Sequence, residues 1–139
     1  MFHYYQPTKI HFGAGQLNEL GHVCRGYGKT CFLVTTPDAP LQPLYERVKK
    51  LLDAEGISVI HFDKVEPNPS VEIVEQGFAM LKEQPADFVL AVGGGSSIDT
   101  AKAIAFANGK ESIDWDHLFN EYTHRSHITL PTVKNTCPC

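Results

Sequence analysis

The chain has 139 residues, 42% of them apolar and 20% charged, the size and balance of one soluble globular domain. Its net charge of −4 and pI near 5.9 give no general attraction to nucleic acid or an anionic membrane, and no cluster of Lys and Arg overrides that average. No apolar run approaches the roughly 20 residues that span a bilayer, and "MFHYYQPTKIHFG" lacks the basic flank and apolar centre of a signal peptide, so the expected location is cytoplasmic.

In chain order, "HYYQPTKIHFGAG" alternates apolar and polar residues and predicts one or two short strands ending in a Gly-Ala-Gly turn. "QLNELGHVC" places Leu17, Leu20, Val23 and Cys24 at helical spacings, and "CFLVTT" is the continuous apolar run of a strand buried on both faces. Beyond "PDAP", Leu41, Leu44, Val48, Leu51 and Leu52 trace one face of a helix that Gly56 is placed to terminate. "ISVIHFD" predicts a strand and "KVEPNPS" a loop. Ser70 is the expected N-cap of a helix carrying Val71, Val74, Phe78 and Leu81 on one face. "DFVLAV" predicts the next strand, "GGGSS" a turn into a further helix, and "HITLPT" a last strand.

Apolar strands alternating with amphipathic helices predict an α/β fold, a Rossmann-like parallel sheet with helices on both faces. Ligands of such sheets bind at the carboxyl ends of the strands, which brings the loops after Thr36, Asp63 and Val92 into one neighbourhood.

Metal and disulfide chemistry find little support. The four cysteines are too few and irregular for a disulfide framework, and the terminal Cys137-Pro138-Cys139 offers two thiolates where a zinc site needs four ligands. None of the seven histidines forms a His-x-x-x-His pair on an expected helix, and each is read as structural or surface.

The glycine turn is the strongest chemical signal. Three successive glycines remove the side chains that keep a backbone away from a phosphate, and the helix expected to start near Ser97 offers unpaired N–H groups and a positive dipole end. Ser96 and Ser97 add hydroxyl donors. Asp99 has two readings: a capping box with Ser96, or a contact to a hydroxyl or amide of a cofactor. The turn is not the Gly-x-Gly-x-x-Gly fingerprint, and it follows the third long apolar strand rather than the first.

"FGAGQLNELG", "VEPNPS" and "GGGSSIDTAKAIA", in that order and spacing, resemble the N-terminal domain of iron-containing (group III) alcohol dehydrogenases over roughly residues 5–132. The resemblance implies that Gly94, Gly95, Ser96 and Ser97 meet the pyrophosphate of NAD or NADP, that Asp99 reaches toward the nicotinamide, and that Asn68 and Thr132 also contact the nucleotide. Thr36 stands where NAD-using members similar to this one tend to carry an aspartate for the adenosine ribose. Without that carboxylate a 2′-phosphate is not repelled, which tilts the expectation toward NADP with NAD the alternative.

Against the family pattern that the resemblance implies, this chain runs "LPTVKNTCPC" where members continue into a Thr/Gly/Ser-rich loop and an all-helical second domain binding iron or zinc. Residues 1–132 are thus expected to form the dinucleotide-binding domain and 133–139 a divergent tail, with that second domain and its metal absent and no catalytic residue within this chain. The implied function is hydride transfer between a small alcohol or aldehyde and the nicotinamide, with no turnover by this chain alone. The alternative is a stand-alone nucleotide-binding or self-associating module. A homodimer or higher oligomer, paired through the N-terminal strands, is the expected assembly.

Overall fold

The computed structural model describes residues 8–116 and 136–138, the last three by their backbone. A short 3-10 turn (Gln16–Glu19) runs into helix α1 (Leu20–Cys24). Strand β1 (Thr30–Val34) follows, then α2 (Gln42–Asp53), β2 (Ser58–Phe62), α3 (Val71–Glu83), β3 (Phe88–Ala91), α4 (Gly95–Ala107) and the edge strand β4 (Thr136–Pro138). The sheet is parallel throughout, in the order β2-β1-β3-β4.

Strand β1 occupies the interior of the sheet, and its alternation sends side chains into two separate cores. Cys31 and Leu33 join Tyr45, Val48 and Leu52 of α2 on one face, while Phe32 and Val34 join Val74, Leu81, Ala101 and Ile104 of α3 and α4 on the other. Both faces of this strand are therefore dry, as its unbroken apolar run predicts. The step from β1 to β2 runs one way across the sheet and the step from β2 to β3 the other. Right-handed crossovers then put α2 and α3 on opposite faces.

Local signals set the helix ends. In the turn after α2, Gly56 N–H donates to the Asp53 carbonyl and Ile57 N–H to the Leu52 carbonyl, with Gly56 at φ 71°. This is a Schellman closure, completed by the burial of Leu52 and Ile57 in one cluster. The Ser70 hydroxyl accepts from Ile73 N–H at 3.4 Å, so the expected N-cap of α3 is present. Midway along α3, Gly77 lets Ile104 of α4 approach so closely that a β-carbon there would overlap the Ile104 Cδ1. The two helices pack backbone to side chain at that point.

Residues 8–12 pair with no strand, and Ile10 and Phe12 are exposed; residues 1–7 of the expected N-terminal strands lie outside the described residues. The expected strand over 127–132, with Thr132, also lies outside them. Thr136–Pro138, within the segment read as a divergent tail, pairs in parallel with β3. Among the described residues, no helix is long and apolar enough to cross a membrane.

Candidate functional site at the carboxyl edge of the sheet

Strands β1 and β3 lie side by side, yet the helices that follow them cover opposite faces. Their carboxyl ends therefore part to form a crevice, the position where open α/β sheets take ligands. The rim is tied together by main-chain bonds. Val92 N–H donates to the Val34 carbonyl at 3.1 Å and Thr35 N–H to the Phe62 carbonyl at 2.9 Å. The loop after β2 then folds over the end of β1, with buried Val65 donating to the Thr35 carbonyl at 3.2 Å.

The glycine turn forms the β3 side of the crevice, and its three glycines differ in what they do. Gly93, at φ 144°, adopts a conformation that side chains disfavour, and a β-carbon there would stand 2.6 Å from the Ser97 Oγ. The turn's own packing requires this glycine. Gly94 and Gly95 have no such constraint: neither has positive φ, and a β-carbon on either would meet nothing within 4 Å. The open space lies at the amino end of α4, where the N–H groups of the first turn lack intrahelical carbonyls and no side chain caps them. Fully buried under Gly93, Ser97 holds a hydroxyl with no hydrogen-bond partner among the described residues, and the same is true of the Thr100 hydroxyl one turn on. This is a cradle for an anion: exposed N–H donors, a positive helix end and no blocking side chains.

The expected capping box is not formed. Gly94 is the N-cap and α4 starts at Gly95, so Ser96 lies inside the helix and Asp99 falls beyond its first turn, exposed. A side-chain box needs its serine at the cap position, and here the unhindered glycine backbone takes that position.

The β1 side of the crevice is polar and internally bonded. The half-buried Thr36 shares a hydrogen bond of 2.9 Å with the hydroxyl of fully buried Tyr45. Beside it, the Thr35 Oγ1 lies 2.9 Å from the His61 Nε2 and donates to the Thr36 carbonyl at 3.1 Å. The His61 ring meets Tyr45 edge-on, with centroids 6.1 Å apart. Burial pushes the His61 pKa below its ordinary value, assisted by the Lys49 charge and opposed by Asp63 and Glu46. His61 is thus neutral near pH 7.

Asn68 sits in the β2–α3 loop, exposed and at φ 57°, the only described non-glycine residue with positive φ. Asparagine tolerates this left-handed conformation better than most residues, but in front of Pro69 it is still an unusual arrangement. Thr36, Gly94, Gly95, Ser96, Ser97 and Asn68 thus all belong to the loops and helix start at one edge of the sheet. Among the described residues, no group of three or more His, Cys, Asp and Glu side chains could hold a metal ion.

Thr35, Tyr45, His61 and Gly93 were not among the site residues expected from sequence. Tyr45 carried a readable signal, since it precedes Val48 by three residues on the buried face of α2. His61 did not, because nothing in its sequence neighbours marks a partner 26 residues away.

The sequence pattern of the family described as "Iron-containing alcohol dehydrogenase" matches residues 7–138. A probable NADH-dependent butanol dehydrogenase 2 of Bacillus subtilis is 40% identical over 133 residues, which is 95% of this chain and 34% of that protein. Alcohol dehydrogenase 4 of Saccharomyces cerevisiae is 38% identical over 116 residues, 81% of this chain and 30% of that one. Among solved structures, an iron-containing alcohol dehydrogenase from Thermotoga maritima superposes with a TM-score of 0.78 at 31% identity, covering 90% of this chain and 35% of the other. A 1,3-propanediol oxidoreductase superposes with a TM-score of 0.76 at 32% identity, over 84% and 31% of the two chains. The chain thus spans about a third of the length of the curated relatives it matches.

Proposed function

This chain belongs to the iron-containing alcohol dehydrogenase family, and we propose that it supplies the nicotinamide-dinucleotide half of an alcohol or aldehyde oxidoreductase. The observation that carries this reading is the open space over Gly94 and Gly95. Among the described residues nothing packs against those positions, yet they lie beside the bare amino end of α4. A pyrophosphate explains why side chains are absent there.

In this reading the N–H groups of Gly95 and Ser96 bind the pyrophosphate, with Gly94 and Gly95 admitting it. Ser97 lies beneath the turn, its unpartnered hydroxyl available to a bound oxygen once Gly93 shifts. Asn68 and Thr36 approach the nucleoside ends from the surrounding loops and Asp99 from α4, and Thr132 is proposed to join them. A nicotinamide held there would supply the hydride acceptor for an alcohol, or the hydride donor for an aldehyde. The described residues do not form a donor set for the iron of the family's name, and no step is assigned to it.

Two considerations bear on which dinucleotide binds. Relatives such as the Bacillus subtilis protein are named NADH-dependent, which favours NADH. Thr36 carries no charge to repel a 2′-phosphate, which keeps NADPH in contention. Fluorescence titration of the chain with each, beside a Gly95→Val variant, tests the reading. Binding of at least one dinucleotide by the wild type and its loss in the variant are expected. No binding by the wild type at millimolar concentration would overturn it.

Self-association is a second property we infer, from Ile10 and Phe12, which are 79% and 95% exposed next to one another on one segment. Sedimentation of the wild type against Ile10→Ser and Phe12→Ser variants tests it, and an unchanged monomer in all three would reject it.

A further inference from the structure

The hydrogen bonds around Thr35 can be counted proton by proton. A threonine hydroxyl has a single hydrogen, and the Thr36 carbonyl can only accept, so the 3.1 Å bond from Thr35 Oγ1 to that carbonyl uses the hydrogen. The 2.9 Å contact between Thr35 Oγ1 and His61 Nε2 must then be donated by the imidazole. With both bonds made at once, His61 is the Nε2–H tautomer and the bonds run in one direction: His61 Nε2–H to Thr35 Oγ1–H to the Thr36 carbonyl.

That line ends where it has consequences. Thr35 is fully buried, and its main chain is also held by Phe62 and Val65. Thr36 is the first residue of the β1 loop to emerge at the crevice, and its side chain is fixed by Tyr45. A dinucleotide whose pyrophosphate sits on α4 must extend one nucleoside across the end of a strand beside β3, and β1 is one such neighbour.

We propose that His61 is a positioning residue for nucleotide recognition, acting through Thr35 to fix the main chain at Thr36 against the bound ribose. This rests on the dinucleotide reading of the crevice given above. The imidazole is placed for the role by its surroundings. Tyr45 packs on its ring from α2, Lys49 and Glu46 act on it from the same helix, and Asp63 acts from the end of β2. Removing the imidazole frees the Thr35 hydroxyl to rotate and loosens the Thr36 peptide, without touching the phosphate cradle on the far side of the crevice.

Two measurements test the proposal. Long-range 1H–15N correlation spectra of the histidine rings at pH 7.5 are expected to give His61 as the Nε2–H tautomer, and the Nδ1–H tautomer would overturn the bond direction. Titrations with NADH and NADPH then compare the wild type with Thr35→Val, His61→Leu, the double variant and His61→Gln. Thr35→Val and His61→Leu are each expected to weaken binding by about five-fold, the effect of one hydrogen bond. The double variant is expected to bind no more weakly than either single one, and His61→Gln, which keeps a donor, to recover most of the loss.

Additive losses, or His61→Leu binding like the wild type, would reject the relay while leaving the dinucleotide reading intact. A wild type that binds neither dinucleotide rejects both. Thermal melts of each variant identify any that fails to fold, and His61→Gln then decides on its own by binding as the wild type or as Thr35→Val does.

Discussion

The hydroxyls of Thr36 and Tyr45 lie 2.9 Å apart, joining the half-buried second residue after β1 to a fully buried side chain of α2. The consequences of breaking this pair depend on which partner is removed. Thr36→Val leaves the Tyr45 hydroxyl buried without a partner, whereas Tyr45→Phe leaves the half-buried Thr36 hydroxyl within reach of water. Thr36→Val is therefore expected to cost about 1–3 kcal/mol of unfolding free energy and Tyr45→Phe about 1 kcal/mol. Urea denaturation of both variants checks the order. Equal costs would mean that the Tyr45 hydroxyl has another partner.

The same position bears on cofactor choice. Thr36→Asp places a carboxylate at the end of β1, where it can accept from a ribose hydroxyl and repel a 2′-phosphate. The ratio of NADPH to NADH dissociation constants is expected to rise by about ten-fold or more, corresponding to roughly 1.4 kcal/mol. Paired titrations read it directly, and an unchanged ratio would place the ribose elsewhere.

Gly95→Ala separates folding from binding. Among the described residues, no atom outside the helix's own backbone and the neighbouring residues lies within 4 Å of the added methyl group, and the residue is inside the first turn of α4. Reduced unfolded-chain entropy should raise stability by about 0.4–1 kcal/mol. Dinucleotide binding should weaken nonetheless, because the methyl group enters the space the pyrophosphate needs. A variant that is more stable and binds unchanged would remove the cradle from the site.

Gly77→Ala makes the opposite case, a glycine required by packing alone. The added methyl group overlaps the end of the Ile104 side chain, so Ile104 must shift or the contact between α3 and α4 must open. The expected cost is about 1–3 kcal/mol, partly relieved when Ile104→Val is added. Chemical denaturation of the single and double variants gives the coupling, and simple additivity would show that the helices adjust without it.

His61 gives the fold a pH dependence of known sign. Its folded-state pKa lies below the ordinary 6.5, chiefly because burial disfavours the charged ring. The unfolded chain therefore takes up the proton first as pH falls. The contribution of His61 is fully present above about 6.5 and is lost as pH drops through the lower folded value. Unfolding midpoints measured from pH 8 to 5 should fall with pH in the wild type and fall less in His61→Gln. Parallel profiles would assign the dependence to other groups.

Much of this architecture is written locally in the chain. The strand interior to the sheet is readable from "CFLV" because burial on both faces demands an unbroken apolar run. Ser70 and Gly56 mark helix ends because their effects act within a few residues. The glycine turn between β3 and α4 was legible for the same reason, and a resemblance carried by three short phrases identified the family.

The exact start of α4 was less legible. A glycine cap has no side chain to announce it, and the Ser96–Asp99 spacing suggests a box that the backbone does not form. Which glycines in the turn serve packing and which leave room for a ligand was decided only in three dimensions, by whether an atom such as the Ser97 Oγ occupies the adjoining space. The same holds for the polar side of the crevice. Thr36 and Tyr45 are nine residues apart, and Thr35 and His61 are 26 apart. Hydrogen bonds act over about 3 Å, so pairs so distant in sequence exist only because parallel pairing of β1 with β2 and the docking of α2 bring them together.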